Sequence, residues 1–279
     1  MSNTAWIEAL AELQQQGTPC VLVTLIEERG STPRNAGAKL VVTAERNYDT
    51  IGGGHLEYKA LQIAREMLES RSREPRLERF TLGASLGQCC GGVTVLLFEP
   101  MGQPQAYIAV FGAGHVGRAL VPLLASLPCR VRWIDSREQE FPAQIPAGVD
   151  KVLTEDVVDE VEGMPAGSYF IVMTHDHQLD LQLATAILTR NDFAWFGLIG
   201  SKSKRARFAH RLQERGVPAE VIPRMRCPMG LAQVKGKLPM EIAVSIAGEV
   251  IATYNARFGE QRQHGEKSVP MLLPASRRG

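Results

Sequence analysis

Hydrophobic positions along this chain follow two rhythms, and the change from one to the other marks its organisation. Near the start, Trp6, Ile7, Leu10 and Leu13 share one face of a short helix closed by Gly17. Cys20 to Ile26 and Leu40 to Thr43 are apolar and rich in β-branched residues, so they predict buried strands. Leu56, Ala60, Ile63 and Met67 return to helical spacing. Residues 65–79 are dense in Arg and Glu and read as a solvated helix end and loop. Phe80 to Leu82 and Val93 to Phe98 then complete a first domain, expected over residues 1–100. Met101-Gly-Gln-Pro104 has linker composition, placing a connection at 101–105. From there strands alternate with helical stretches: Ala106 to Phe111, Ala119 to Leu124, Arg130 to Ile134, Lys151 to Leu153, Ser168 to Thr174, Phe193 to Ile199, and a last apolar helix opened by Pro239. The pattern predicts an α/β protein, with a smaller α+β N-terminal domain followed by a Rossmann-like parallel-sheet domain over 106–258. Residues 259–279 read as a disordered tail.

Composition narrows the function classes. The 279 residues suit one large or two ordinary domains. A net charge of +1 gives no bulk electrostatic case for nucleic acid or membrane. No apolar run reaches the roughly 18 residues a membrane helix needs. The 5 cysteines are an odd count without a secretory signal pattern, which argues against a disulfide framework and for a reducing cytoplasm.

The candidate chemistry sits on glycine-rich turns. Gly112-Ala-Gly114-His-Val-Gly117 lies between a strand and a helix, and Asp135 closes the next strand. That is the order of a Rossmann nucleotide site: the first glycine makes the turn, the second admits a pyrophosphate, the third packs helix on strand, and the acid accepts a ribose hydroxyl. Gly52, Gly53 and Gly54 run into a helix carrying His55 and Glu57. This is either an anion cradle of free backbone N–H groups or a plain glycine turn. Lacking a Lys-Ser/Thr ending, it is not a P-loop. Arg34 and Lys39 are cations of a turn-rich loop. Cys89 and Cys90 stand at a strand rim before Gly91 and Gly92. They are either small core residues or thiols facing a ligand. His175-Asp176-His177 follows a strong strand at the ligand edge of a parallel sheet, as ligand contacts or as rim histidines beside a helix-capping Asp176. The run from Gly200 through Lys202 to Arg207 puts cations at a helix start, which an anion would reconcile with the macrodipole.

Taken in order, these motifs resemble the XdhC/CoxI family. The match is carried by Gly30-Ser-Thr-Pro-Arg34 with Gly37-Ala-Lys39, Gly52-Gly-Gly-His-Leu-Glu57, Leu86-Gly-Gln-Cys-Cys-Gly-Gly92, Gly112 to Gly117, Thr174-His-Asp-His177, Gly200-Ser201 and Glu241-Ile-Ala-Val-Ser245. The likeness spans residues 5–255. It implies a molybdenum cofactor (molybdopterin) carrier or chaperone in purine catabolism. Such a carrier works with a cysteine desulfurase for sulfuration and delivers cofactor to the molybdenum subunit of xanthine dehydrogenase. A homodimer is the expected state of such a carrier, and a nucleotide is a second candidate occupant of the Rossmann site. On this view Arg34, Lys39, Lys202 and the glycine turns supply anion donors, His175 a rim contact, and Cys90 or Cys89 a thiolate near the metal, with Cys90 preferred. Leu238 departs from the family's Thr or Ser before the proline, removing a helix N-cap. Two other readings compete. One is an NAD(P)-dependent oxidoreductase using Asp135, with His175 or His177 as acid/base. The other is a sulfur carrier with a persulfide on Cys89 or Cys90.

Overall fold

The computed structural model describes residues 5–29, 34–81 and 92–265, with side chains to residue 257. The chain divides into two compact units, Met1–Pro104 and Gln105–Gly279.

The first unit is an antiparallel sheet with a helix on each face. Helix α1 (Ala5–Gln16) precedes strands β1 (Cys20–Arg29), β2 (Lys39–Val42) and β3 (Asn47–Asp49). Helix α2 (Gly54–Glu69) leads into β4 (Arg76–Thr81) and β5 (Val93–Met101). The order is β3-β2-β1-β5-β4, all antiparallel. Side-chain alternation divides β1 between two cores. Val21, Val23 and Leu25 meet Leu56, Ala60, Ala64 and Met67 of α2, while Cys20 and Leu22 meet Leu13 of α1. Trp6 and Leu10 pack beside Leu13, but Ile7 is 50% exposed, because a one-residue step turns it about 100° off that stripe. A register shift between Leu25 and Glu27 leaves Ile26 exposed, as a bulge does. Residues 76–79, expected as loop, belong to edge strand β4. Its Arg and Glu residues hide strand character, and charge on an edge discourages pairing with another chain.

The second unit is a doubly wound parallel sheet. Its elements are β6 (Ala106–Phe111), α3 (His115–Ala125), β7 (Cys129–Asp135), β8 (Val149–Leu153), β9 (Tyr169–Val172), α4 (His177–Arg190), β10 (Trp195–Leu198), α5 (Lys202–Glu214), β11 (Met225–Arg226) and α6 (Pro239–Gly265). The order β11-β10-β9-β6-β7-β8 is parallel throughout. Ile108, Val110 and Ile171 pack under α3 and α6; Ala109, Phe111, Phe170 and Val172 pack under α4 and α5. Strands buried on both faces are continuously apolar, which is why they were legible. At the start of α6 the Leu238 N–H donates to Glu241 Oε2 at 3.0 Å, the half of a capping box that needs no Ser or Thr.

Thr94 of β5 is fully buried, and its hydroxyl has no partner among the described residues. Thr94→Val removes that desolvated group and should stabilise the protein by about 1 kcal/mol. A rise in the urea midpoint checks it.

Candidate functional site

The turn from β6 into α3 shows three distinct glycine roles. Gly112 has φ +119°, and a Cβ there would lie 2.6 Å from the Met173 carbonyl oxygen. A Cβ on Gly117 would lie 2.3 Å from the Gly112 oxygen, so this residue sets the close approach of helix to turn. Gly114 has nothing within 4 Å of its would-be Cβ. The backbone is therefore open to a ligand where α3 presents its first-turn N–H groups. Trp133 Nε1 donates to the Gly112 oxygen at 3.1 Å and holds the turn to β7.

Asp135, at the end of β7, is 6% exposed and already engaged. Its Oδ2 accepts from the Ala113 N–H at 2.7 Å and from Arg137 Nη2 at 2.9 Å. Its Oδ1 accepts from the Arg137 N–H and Nε, both at 3.0 Å. Those bonds use the roughly four acceptor positions of a carboxylate. Burial raises the carboxyl pKa, but the Arg137 side chain and the two backbone N–H groups outweigh it and hold the group below its ordinary value. The expected ribose acceptor instead ties the glycine turn to Arg137.

The strand order reverses between β6 and β9, which places the glycine turn and the segment after β9 on either side of a switch-point crevice. In that segment Asp176 caps α4, accepting from the Gln178 N–H at 2.7 Å, while His175 and His177 are exposed. The buried acid is Asp180, on α4's apolar stripe. Its Oδ1 accepts from the Thr174 hydroxyl at 2.7 Å, and its Oδ2 from Lys204 Nζ at 2.6 Å. Lys204 also donates to the Ile199 oxygen at 2.8 Å. The cation expected to matter on α5 was Lys202, which is exposed; Lys204, 5% exposed, turns inward instead. Lys204 lies one helical turn before Phe208 and two before Leu212, so its stripe is apolar except for this one charge. A lone charge on an apolar stripe is the signal that sequence reading passed over, for Asp180 as well. Arg137 carried no comparable signal.

In the first unit, Gly52, Gly53 and Gly54 all have positive φ (+123°, +71° and +65°). Their amides are not all free, however. Glu57 Oε2 accepts from the Ile51 N–H at 3.1 Å and the Gly53 N–H at 3.0 Å, and also from the Thr50 hydroxyl. Thr50 Oγ1 in turn accepts from the Gly52 N–H at 3.0 Å. The anion in the turn is thus the protein's own carboxylate. Lys39 donates to Thr24 Oγ1 at 3.0 Å and lies over the Trp6 ring. Arg34 and His55 are exposed, the latter 6.0 Å from the Tyr58 ring. Cys89 and Cys90 lie outside the described residues. No group of three or more His, Cys, Asp or Glu suited to a metal ion occurs among the described residues.

Comparison with known proteins decides the family. The XdhC Rossmann domain model matches residues 108–250, more than half of the chain, and the XdhC and CoxI family model matches residues 13–81. The chain belongs to the XdhC/CoxI family. This XdhC/CoxI chain is 29% identical over 250 residues to the uncharacterized protein YqeB of Escherichia coli (strain K12), covering 88% of the chain but only 45% of that relative's length. It is 26% identical over 271 residues to the molybdenum cofactor insertion chaperone PaoD of the same organism, covering 86% of the chain and 85% of PaoD. It also aligns with a crystal structure of a xanthine dehydrogenase from Bacillus halodurans at a TM-score of 0.46 and 20% identity, over 92% of this chain and 97% of that one. Among the described residues of this XdhC/CoxI chain, no helix is long and apolar enough to cross a membrane.

Two outcomes follow from these charges. Asp180→Ala strands the buried Lys204 and should cost about 3–5 kcal/mol, whereas the Asp180→Leu/Lys204→Met double variant should lose far less. Urea midpoints of the two variants compare directly. Asp135 has a lowered folded pKa, so its stabilisation is present above the unfolded value of about 3.9 and is lost as the pH falls through that value toward the folded one. Asp135→Asn should therefore be less stable than wild type at pH 7, with the gap narrowing in urea unfolding as the pH falls below the ordinary carboxylate value of about 3.9.

Proposed function

We propose that this chain is a molybdenum cofactor-binding chaperone that supports cofactor sulfuration and insertion into xanthine dehydrogenase or a related molybdenum hydroxylase. The observation that carries the reading is the near full-length alignment with PaoD, together with the family membership of both halves. On this reading the partners are the molybdenum subunit of the hydroxylase and a cysteine desulfurase. The protein works in a reducing cytoplasm, in purine oxidation, as a homodimer.

The described residues fit the phosphate end of such a cofactor. Gly114 leaves open space in front of the first turn of α3, where backbone N–H groups suit a phosphate. His175, exposed at the rim across the switch point, is the proposed contact to the body of the ligand. When bound, the cofactor would bring a pterin dithiolene and an oxophilic, sulfur-tolerant metal. A thiolate toward that metal is the role proposed for Cys90, with Cys89 as the alternative. Burial pushes the Cys20 thiol up to about 11 and raises that of Cys227, so neither is a thiolate at neutral pH. In the first unit Glu57 holds the Gly52 to Gly54 turn in shape, and His55, Arg34 and Lys39 stand as that unit's own proposed contacts.

Occupancy of Asp135 favours this reading over a nicotinamide-dependent oxidoreductase. The adenosine ribose of a dinucleotide would have to displace Arg137 before it found an acceptor.

Anaerobic gel filtration after incubation with purified molybdenum cofactor tests the proposal. Wild type should retain pterin and molybdenum in stoichiometric amounts, and Cys90→Ala should keep pterin while losing metal. No pterin on wild type would overturn the carrier reading. Unchanged metal on the variant would remove Cys90 from the contact.

A further inference from the structure

A basic pocket opens between the ends of β9 and β10, one strand from the switch point. It has a volume of about 300 Å³, and Thr174, His177, Asp180, Ser201, Lys204 and Arg207 are among its lining residues. No residue of the Gly112 to Gly117 turn lines it.

The floor of this pocket is the Lys204–Asp180 pair, 5% and 1% exposed. A buried ion pair carries a large desolvation cost and often adds little net stability, so its position against a cavity rather than in solid core is informative. The negative charge is fully answered from within the protein. Asp180 accepts from the Thr174 N–H at 3.2 Å and its hydroxyl at 2.7 Å, and from Lys204 at 2.6 Å. What remains uncompensated is positive. Arg207 is exposed at the pocket wall, with no hydrogen bond or ion pair to the described residues. Arg207 lies one helical turn beyond Lys204 and lines the pocket with it, as the N-terminal lean of helical side chains allows. Ser201 Oγ accepts from the Lys204 N–H at 3.2 Å, which leaves its own proton to donate. His177 adds an exposed imidazole.

We propose that this pocket binds the phosphoryl group of an organic phosphate ester, with Arg207 and Lys204 as its cationic contacts and Ser201 as a hydroxyl donor. A guanidinium offers paired N–H groups matched to phosphate oxygens, and an ammonium adds a point charge. The volume exceeds what a bare oxyanion fills and sits at the lower end for small-molecule pockets, so part of the ester's organic body enters with it. The inference holds whether or not the chain carries molybdenum cofactor.

Isothermal titration of the full chain with ribose 5-phosphate, inorganic phosphate and ribose tests it. Ribose 5-phosphate should bind more tightly than inorganic phosphate, and ribose should not bind. Arg207→Ala should weaken the ester about ten-fold or more, the worth of a charge-assisted contact. Arg205→Ala removes the same charge from the same helix outside the pocket lining and should change affinity by less than about two-fold. Wild type that binds neither phosphate, an unchanged Arg207→Ala, or an equal loss in Arg205→Ala each overturns the proposal. Because these probes contain neither pterin nor molybdenum, their failure leaves the cofactor-retention result untouched, and the reverse also holds.

Discussion

The second unit's functional edge depends on one buried ion pair. Asp180 and Lys204 join the segment after β9 to the start of α5 across a 2.6 Å contact. Lys204 also reaches the Ile199 oxygen, and Asp180 the Thr174 backbone and hydroxyl, so two strand ends and two helix starts are held by one charge pair. A hydrophobic contact could fill the same volume. It could not satisfy the carbonyl and amide that the strand ends leave without ladder partners. The pair therefore positions the rim from which Arg207, His177 and Ser201 face solvent.

A second theme is that the protein's own charges occupy positions that motif reading gives to ligands. Glu57 sits in the glycine turn before α2 as an internal anion. Arg137 and the Ala113 amide fill the acceptor positions of Asp135. Both arrangements pre-organise a glycine-rich turn, and both limit what can bind beside it. The backbone in front of Gly114 stays open, where a side chain would meet nothing, and the same holds at Gly53. At the Rossmann turn the backbone before α3 is open, while the acid at the end of β7 is already hydrogen-bonded within the protein.

The amino-acid sequence by itself determined the fold class and the strand–helix order of the second unit, because strands buried on both faces must be continuously apolar and the glycine spacing is set by steric contact. Gly112 and Gly117 are required where a Cβ would strike backbone oxygen, and such a requirement is written in the sequence. It also determined the family, through motifs in a fixed order. Strand β4 was not legible, since an edge strand studded with Arg and Glu has the composition of a loop and acquires its identity only by pairing with β5. The stripe of Lys204, Phe208 and Leu212 marks in the sequence which cation of α5 faces inward, but that it meets Asp180, 24 residues away, was decided by tertiary structure alone. The partner of Asp135 is close in sequence, and it is the turn just past β7 that brings the Arg137 guanidinium to both its oxygens. Local pattern specifies where a chain turns and which face it buries. The pairing of charges distant in sequence depends on the geometry that burial creates.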